Sequence, residues 1–271
     1  VLPESRQAAA HVYGWLMLCL LPILLALPLL VHWQQWRDAD PLWSVPWPPQ
    51  RRASGWTPLP HPLLDEAGQY LLIHLDDGES RSYSMANPPH ESDGITLHVR
   101  HVPGGRFSTI VQQLKSGDTL DIELPFGSIA LKPDDARPLI CVAGGTGFAP
   151  IKSVLDDLAK RKVQRDITLI WGARNPSGLY LPSAIDKWRK VWPQFRYIAA
   201  ITDLGDMPAD AHAGRVDDAL RTHFGNLHDH VVHCCGSPSL VQSVRTAASD
   251  MGLLAQDFHA DVFATGPTGH H

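Results

Sequence analysis

The hydrophobic pattern of the chain after residue 68 changes once, from strand-like alternation to short apolar runs separated by helical segments. This change predicts two folding regions. Between residues 69 and 123, apolar and polar positions alternate in short segments that end at turn residues, which is typical of antiparallel strands. The strands predicted here occupy residues 69–75, 81–86, 95–101 and 118–123, and a helix is predicted at 107–114.

From residue 139 onward, short apolar runs alternate with helical segments. The predicted strands are 139–143, 167–172, 196–201, 231–234 and 258–263, and the predicted helices are 150–160, 183–191, 217–223 and 240–251. This alternation predicts a parallel sheet with helices on both faces and with ligands at the carboxyl ends of its strands.

The N-terminal quarter has a different composition, because residues 7–35 contain no Asp, Glu, Lys or Arg and residues 15–31 are almost wholly apolar. About 20 apolar residues span a bilayer, so this run predicts a transmembrane helix at about 13–33 with aromatic residues at both ends. The arginines that follow favour a cytoplasmic C-terminal side, and we therefore expect a single-pass inner-membrane protein. A buried core helix and a signal peptide are the alternative interpretations.

Composition excludes some classes of function. The 271 residues carry a formal net charge of −5, which gives no electrostatic footprint for binding nucleic acid. The four cysteines are too scattered for a zinc site, and no His, Asp and Glu have metal-ligand spacing, so that no metal is predicted. Adjacent Cys234 and Cys235 are interpreted as free thiols rather than a strained disulfide. His11 and His32 flank the apolar segment and leave haem ligation open as an alternative.

A glycine-rich turn directly follows the strand predicted at 139–143. Gly144, Gly145 and Gly147 allow a tight turn and a close approach of the backbone to a pyrophosphate. The helix that begins near Pro150 directs its N-terminal N–H groups and positive dipole end towards the same anion. Strand, turn and helix together therefore predict a cradle for nucleotide phosphates.

Three further segments surround this turn in sequence. Arg81 and Tyr83 lie two residues apart on a predicted strand and so share a face, where they can clamp a phosphate and cover a flat ring. Residues 104–109, G-G-R-F-S-T, place two glycines before a helix and form another anion site. Residues 235–241, C-G-S-P-S-L-V, repeat the order of strand, small turn and helix.

Together, the motifs R-S-Y-S, G-G-R-F-S-T, A-G-G-T-G-F-A-P and C-G-S-P-S-L-V resemble the ferredoxin–NADP reductase superfamily over about residues 67–263. Within it, the chain is most similar to bacterial NAD(P)H-dependent reductases of oxygenase systems and of CDP-6-deoxyglucoseene reduction. The resemblance implies an FAD-binding antiparallel barrel followed by an NAD(P)-binding doubly wound domain. It also implies hydride transfer from NAD(P)H to FAD and electron delivery to a separate acceptor.

The resemblance implies a set of flavin-side residues. Tyr83 is expected to stack on the flavin ring, and Ser84 to hydrogen-bond near its reducible nitrogen. Phe263 is expected to cover the other face of the ring or to belong to the core. The flavin phosphates are expected to lie among Arg81, Gly105, Arg106, Phe107 and Ser108, with Ser108 also a candidate helix N-cap.

A second set of residues is implied for the nicotinamide dinucleotide. Its backbone cradle comprises Gly144, Gly145, Thr146 and Gly147. Cys235, Gly236 and Pro238 are expected to place the nicotinamide against the flavin, with Cys235 and Ser84 as the catalytic residues. Arg174 is expected near the adenosine end, which leaves the choice between NADH and NADPH open.

Residues 38–64 are rich in proline and tryptophan and lack helical or alternating periodicity. Residues 37–66 are therefore predicted to form an extended linker or a docking segment. No pair of strands is indicated before Gly68, whereas two strands normally precede this point in the family. The barrel is therefore expected to be short by about two strands, or to be completed irregularly by residues 42–66. The predicted domains are residues 1–36, 37–66, 67–135 and 136–271.

The electron acceptor is expected to be a separate iron–sulfur protein, oxygenase or membrane complex, because the chain lacks the cysteine spacing of a plant-type iron–sulfur cluster. Two alternatives remain open. One is an accessory subunit of a membrane complex with a degenerate reductase domain, and the other is a reductase that uses free flavin as a substrate.

Overall fold

The computed structural model describes residues 42–47, 66–91, 94–115, 118–127, 131, 135–203, 205 and 207–262, the first of these ranges as backbone only. All of them belong to one compact unit that begins at Leu42. Five strands and one helix form an antiparallel region: β1 Leu42–Trp47, β2 Tyr70–His74, β3 Ser80–Ser84, β4 Ile95–Arg100, α1 Arg106–Gln113 and β5 Asp121–Phe126.

Two small sheets make up this antiparallel region. One has the strand order β3-β2-β5, and the other pairs β1 with β4. Among the described residues, a bridge between Met85 and Leu97 connects the two sheets. The residues buried between the sheets and α1 include Leu71, Ile73 and Phe107. The alternation of the sequence produces this core, because every second residue of β2 and β4 faces inward.

The parallel region follows and consists of six strands and four helices. These are β6 Leu139–Gly144, α2 Phe148–Lys160, β7 Ile167–Ala173, α3 Pro182–Val191, β8 Arg196–Ile201, β9 His212–Ala213, α4 Val216–His223, β10 Val231–Gly236, α5 Pro238–Asp250 and β11 Phe258–Val262. All pairings are parallel, and the strand order is β11-β10-β6-β7-β8-β9.

Strand β6 is buried on both faces of this sheet. Leu139 and Cys141 face a core that contains α2 and α3, while Ile140 and Val142 face a core that contains α4 and α5. The chain proceeds from β6 outward through β7 to β9 and then returns to place β10 on the other side of β6. The topological switch point of a doubly wound sheet, where ligands bind, therefore lies between the carboxyl ends of β6 and β10.

Buried polar contacts join the two regions. The Ser153 hydroxyl on α2 donates to the Asn87 carbonyl at 2.9 Å and accepts from the Gly68 N–H at 3.0 Å. The Lys152 ammonium donates to the Ala86 carbonyl at 3.2 Å. These bonds fix α2, and with it the switch point, against the end of β3.

Lys152 is itself held by Asp156, whose side chain is buried on α2. Asp156 accepts from Lys152 at 2.8 Å, from Lys187 at 3.0 Å and from the Trp188 indole N–H at 2.9 Å. Burial alone would raise the pKa of Asp156, but the charge of Lys152 and these hydrogen bonds outweigh it and lower the pKa below its ordinary value.

The predicted order of an antiparallel region followed by a parallel sheet agrees with the structure, although five parallel strands were predicted and the sheet has six. The sequence indicated no pair of strands before Gly68, and the structure describes one strand there, β1, which pairs with β4 in antiparallel register. Proline hides this strand from the sequence pattern, because Pro46 has no N–H for a ladder and is typical of strand edges. Short β9 was also not predicted.

The expectation of a single-pass inner-membrane protein is wrong. Among the residues that the structure describes, no helix combines the length and the apolar character needed to cross a membrane. The segment 13–33, from which the span was inferred, lies outside the described residues. An uncharged apolar run is a necessary feature of a membrane-spanning helix, but it is not sufficient to identify one.

Replacing Asp156 with Asn should lower the free energy of unfolding by about 3 kcal/mol, because the partly buried Lys152 loses the buried carboxylate that neutralises it. The folded pKa is depressed, so the stabilisation is complete above the unfolded pKa near 4 and is lost as the pH falls through the folded pKa. Denaturant unfolding at neutral and acidic pH should therefore show a difference between wild type and variant that shrinks at low pH.

Asp186→Asn on α3 is the matched control, because its pair with Arg189 at 3.6 Å is exposed. It should change stability by less than about 1 kcal/mol. An Asp156→Asn variant as stable as this control would contradict the role of the buried carboxylate.

Candidate active site

A cavity of about 350 Å³ lies between β3, β4, the start of α1 and the glycine turn after β6. Its described lining contains three arginines and no carboxylate, which makes it suited to a phosphate-bearing ligand. The lining residues are Arg81, Ser82, Tyr83, Ser84, His98, Arg100, Val102, Gly104, Gly105, Arg106, Phe107, Ser108, Thr146 and Ala149.

Tyr83 supplies the flat apolar wall of the cavity. Its ring packs against that of Phe107, with centroids 4.9 Å apart and an interplanar angle of 49°. Burial raises the pKa of Tyr83 to about 12, against a smaller opposing effect of Arg81, so the phenol stays protonated. Ser84 follows in the same strand and is buried at the cavity wall.

Two of the three cavity arginines are held by carboxylates of the turn between β2 and β3. The Arg81 guanidinium lies 2.7 Å from the Glu79 carboxylate. Arg106 forms ion pairs with Asp77 and, at 3.5 Å, with the same Glu79. These ion pairs hold the Arg81 and Arg106 guanidinium groups at the wall of the cavity. The carboxylates themselves are not part of the described lining.

The N-terminus of α1 points into the cavity. Gly105 is the N-cap, and Ser108 lies in the first turn, so the alternative of Ser108 as N-cap is wrong. The Ser108 hydroxyl shares its proton between the carbonyls of Gly105 and Val102, at 3.0 and 3.1 Å, and accepts from the Val102 N–H at 3.2 Å. Ser108 therefore closes the loop that precedes the helix.

The glycine turn connects this cavity to the switch point. Residues Gly145–Gly147 form one 3₁₀ turn that leads into α2, and Gly145 has the positive φ of 53° that favours glycine. A Cβ atom on Gly147 would collide with the carbonyl oxygen of Cys235, so the two backbones touch. The Trp171 indole donates to the Gly145 carbonyl at 3.1 Å and fixes the turn from below.

Cys235 lies at the end of β10, on the other side of this backbone contact. Its thiol is fully buried and lies 4.0 Å from the Asp261 carboxylate of β11. Burial raises the pKa of Cys235 well above its ordinary value, with smaller contributions from Asp261 and the neighbouring cysteines. Burial also raises the pKa of Asp261, to about 6.

Gly236 is buried, and Pro238 is exposed in the first turn of α5, where Ser237 is the N-cap. Cys234 faces the opposite side of the sheet from Cys235, and both thiols are free, which agrees with the interpretation from sequence.

The residues predicted from the motifs therefore gather in two adjoining places. The cavity contains Arg81, Tyr83, Ser84, Gly105, Arg106, Phe107, Ser108 and Thr146. Around the switch point lie Gly144, Gly145, Gly147, Cys235, Gly236 and Pro238. Thr146 and Gly147 are adjacent in the chain and join the two groups. Arg174 is exposed beyond the end of β7, and Phe263 lies outside the described residues.

Three lining residues, of which His98 and Arg100 are polar and Val102 is apolar, lie outside the sequence motifs. His98 and Arg100 alternate with the core residues Leu97 and Val99 on β4. Because side chains alternate between the two faces of a strand, the sequence already placed His98 and Arg100 on the face opposite the core. The His98 Nδ1 atom and the Tyr180 hydroxyl form a hydrogen bond of 2.7 Å. Burial, with a smaller effect of Lys152, lowers the pKa of His98 to about 3, so the imidazole is neutral.

Sequence comparison separates the same two regions. Residues 59–131 match the oxidoreductase FAD-binding domain, and residues 141–246 match the oxidoreductase NAD-binding domain. The chain belongs to the ferredoxin–NADP reductase superfamily. The antiparallel region therefore corresponds to the FAD-binding domain of this superfamily and the parallel region to its NAD-binding domain.

Curated relatives match about three quarters of this chain. Reductase component 1 of terephthalate 1,2-dioxygenase from a Comamonas species is 96% identical over 206 residues, which are 76% of this chain and 61% of that protein. The reductase component of phenol 2-monooxygenase from a Pseudomonas species is 34% identical over 78% of this chain and 61% of its own length. The chain thus spans about three fifths of these relatives.

Solved structures show the same fold. A cytochrome P450 reductase from Amycolatopsis superposes with a TM-score of 0.69 at 28% identity, over 74% of this chain and 62% of that one. Phthalate dioxygenase reductase gives a TM-score of 0.59 at 24% identity, over 84% and 65% of the two chains.

The predicted inner-membrane localisation has no counterpart in the names of these relatives.

Replacing Gly147 with Ala should weaken dinucleotide binding by about tenfold or more, because the new methyl group must displace the Cys235 carbonyl and shift the turn. Titration of the purified chain with NADH and NADPH measures the change. Gly225→Ala is the control, since Gly225 has nothing within 4 Å of an added Cβ. Equal affinities for the two variants would contradict the proposed close contact.

Proposed function

We propose that this chain is an NAD(P)H-dependent flavoprotein reductase that transfers a hydride from NAD(P)H to FAD and delivers the electrons to a separate acceptor protein. One observation carries the proposal: a positively charged cavity with an aromatic wall adjoins a glycine turn at the topological switch point. The hydride donor and acceptor can meet only where two such sites share a wall, and Thr146 belongs to both.

The described residues fit FAD. Arg81, Arg100 and Arg106 offer guanidinium groups for the phosphates, and the N-terminus of α1 adds its N–H groups and positive dipole end. Tyr83 presents a half-buried ring to a flat ligand, backed by Phe107. Bound FAD supplies the chemistry, since it accepts a hydride and releases electrons singly or in pairs.

The protein's own contribution is alignment. We assign Tyr83 to hold the flavin ring and Ser84 to hydrogen-bond its reducible edge. The backbone at 144–147 holds the dinucleotide, while Cys235, Gly236 and Pro238 place the nicotinamide. The buried Cys235 thiol, whose pKa is raised, stays protonated and places no charge beside the end of β10 where the nicotinamide is assigned. Such alignment and the exclusion of water account for the rate in enzymes of this type.

We further propose that the FAD domain occupies residues 67–135 and the NAD(P) domain residues 136–271. The change from antiparallel to parallel pairing between β5 and β6 supports this division. Arg174 follows β7 on the exposed side, where it would meet the adenosine end of the dinucleotide. Its positive charge is compatible with the 2′-phosphate of NADPH and equally with its absence in NADH.

The 96% identity to the terephthalate dioxygenase reductase component supports a specific assignment. We propose that the chain supplies electrons to the oxygenase component of an aromatic dicarboxylate dioxygenase, directly or through an iron–sulfur protein. The aromatic substrate then binds to the partner, and this chain needs no site for it.

The visible spectrum and the NAD(P)H oxidation rate of the purified 271-residue chain test the main proposal. Flavin absorbance after purification or FAD addition, with NAD(P)H oxidation by an artificial electron acceptor, is the expected result. A protein that binds neither FAD nor NAD(P)H would refute it. Binding of both without turnover would instead favour an accessory subunit with a degenerate domain.

Replacing Arg81 with Met should raise the dissociation constant of FAD by about 10- to 100-fold, the effect of losing one charge-assisted hydrogen bond. Fluorescence quenching of added FAD measures it. Arg189→Met removes an exposed arginine of α3 outside the cavity and should leave the constant unchanged. Equal losses in both variants would indicate a general charge effect instead of a phosphate contact.

Replacing Cys235 with Ala should leave FAD bound but slow its reduction by NADH by about tenfold or more, because the nicotinamide loses a positioning contact. Stopped-flow absorbance of the flavin separates this step from electron delivery. The companion variant Cys234→Ala, on the other face of the sheet, should reduce its flavin at the wild-type rate. A Cys235→Ala enzyme as fast as wild type would exclude the thiol from alignment.

A further inference from the structure

Three potential metal ligands from two parallel strands converge beside the switch point. Among the described residues, the ligand atoms of His233, Cys235 and Asp261 all lie within 4.8 Å of one another. The register of the sheet produces this group, because His233 and Cys235 are two residues apart on β10 and Asp261 is paired with Cys235 on β11. Sequence spacing did not reveal it, since the strands are far apart in the chain.

His233 is the unusual member of this cation cluster. It is 1% exposed, and neither ring nitrogen has a hydrogen-bond partner among the residues that the structure describes. Burial lowers the pKa of His233 to about 3, so the ring is neutral and each nitrogen is either a donor or an acceptor without a partner. Buried polar groups of this kind are rare and call for a bound water or ion as the explanation.

The donor set selects the type of ion. Imidazole nitrogen, thiolate sulfur and carboxylate oxygen together suit a borderline-soft divalent cation such as Zn²⁺ and are poorly matched to Mg²⁺ or Ca²⁺. Tetrahedral zinc requires ligand atoms about 3.5 Å apart. The three ligand atoms lie within 4.8 Å of one another, so binding requires a small contraction, and Asp261 is the half-buried member of the group.

The neighbouring groups are compatible with such a site. Cys141 on β6 and His259 on β11 flank His233 in register. Entry is possible from the side of Asp261, because the strand is half-exposed there while β10 is fully buried. The carbonyl of Cys235 touches Gly147, so the cluster lies directly behind the dinucleotide turn.

We propose that His233, Cys235 and Asp261 form a Zn²⁺-binding site and that its occupation inhibits hydride transfer. The inhibitory part rests on the proposed function, because Cys235 is assigned there to place the nicotinamide. A cation bound to its sulfur places a charge directly behind the turn and the strand end that position the nicotinamide. Binding removes the thiol proton to solvent, and the metal–sulfur bond replaces the sulfur–hydrogen bond.

Cobalt(II) provides a test that does not depend on activity. The full-length chain, loaded with FAD and freed of metal, is titrated with Co²⁺, and the ultraviolet spectrum is recorded as a difference against the metal-free protein. A thiolate-to-metal charge-transfer band that saturates at one Co²⁺ per chain and is displaced by Zn²⁺ is expected. Co²⁺ bound by histidines elsewhere in the chain, without a cysteine ligand, does not produce this band.

Two variants and one control locate the ion. His233→Val removes the imidazole and fits a buried strand, and Asp261→Asn removes the carboxylate charge; each should abolish the band or weaken Co²⁺ binding by about tenfold or more. Cys234→Ala, next in the chain but on the opposite face, should leave the band unchanged. Thermal unfolding checks folding, since Zn²⁺ should raise the Tm of wild type and control but not of His233→Val.

NADH oxidation then tests the inhibitory part. Zn²⁺ at the concentration that displaces Co²⁺ should lower flavin reduction by about tenfold or more in wild type and Cys234→Ala, whereas His233→Val should retain its own metal-free rate. Absence of the charge-transfer band, or equal binding by all variants, overturns the site. A saturated band with undiminished flavin reduction overturns the inhibition. A chain that shows the band but oxidises no NADH refutes the proposed function and leaves the site standing.

Discussion

The backbone contact between Gly147 and Cys235 is the constraint on which the site depends. A side chain on Gly147 would occupy the space of the Cys235 carbonyl, so the turn after β6 and the end of β10 can meet only through glycine. This contact holds residues 144–147 at the switch point and directs Thr146 into the cavity of the antiparallel region. Two sites from two folding regions thereby share one wall.

Charge on the flavin side is organised around this geometry. Arg81 and Arg106 enter the cavity with their guanidinium groups already paired to Glu79 and Asp77 at its edge. The carboxylates limit the repulsion between the cations and fix their rotamers, while the described lining remains free of negative charge. The cavity therefore attracts phosphate without needing to reorganise its arginines.

Local sequence patterns predicted the strands, turns and site residues that are determined by residues close to one another in the chain. The period of two gave β2 to β4 to within one or two residues, and the glycine turn 144–147 and the cavity residue Tyr83 follow from their motifs. Strand β1 was missed because its proline breaks the pattern, and its stability comes from pairing with β4. The convergence of His233 with Asp261 depends on strand register across 28 positions of sequence, which no local pattern encodes.

The buried polar bonds between the two regions have a consequence for how the molecule works. Ser153, Lys152 and the Tyr180–His98 pair tie the helix and loop of one region to the strands of the other inside a low-dielectric interior. Breaking them during each turnover would expose several unsatisfied groups at once. The interface between the two regions is therefore rigid rather than hinged. Ligands must enter, align and leave a cleft whose walls stay in place.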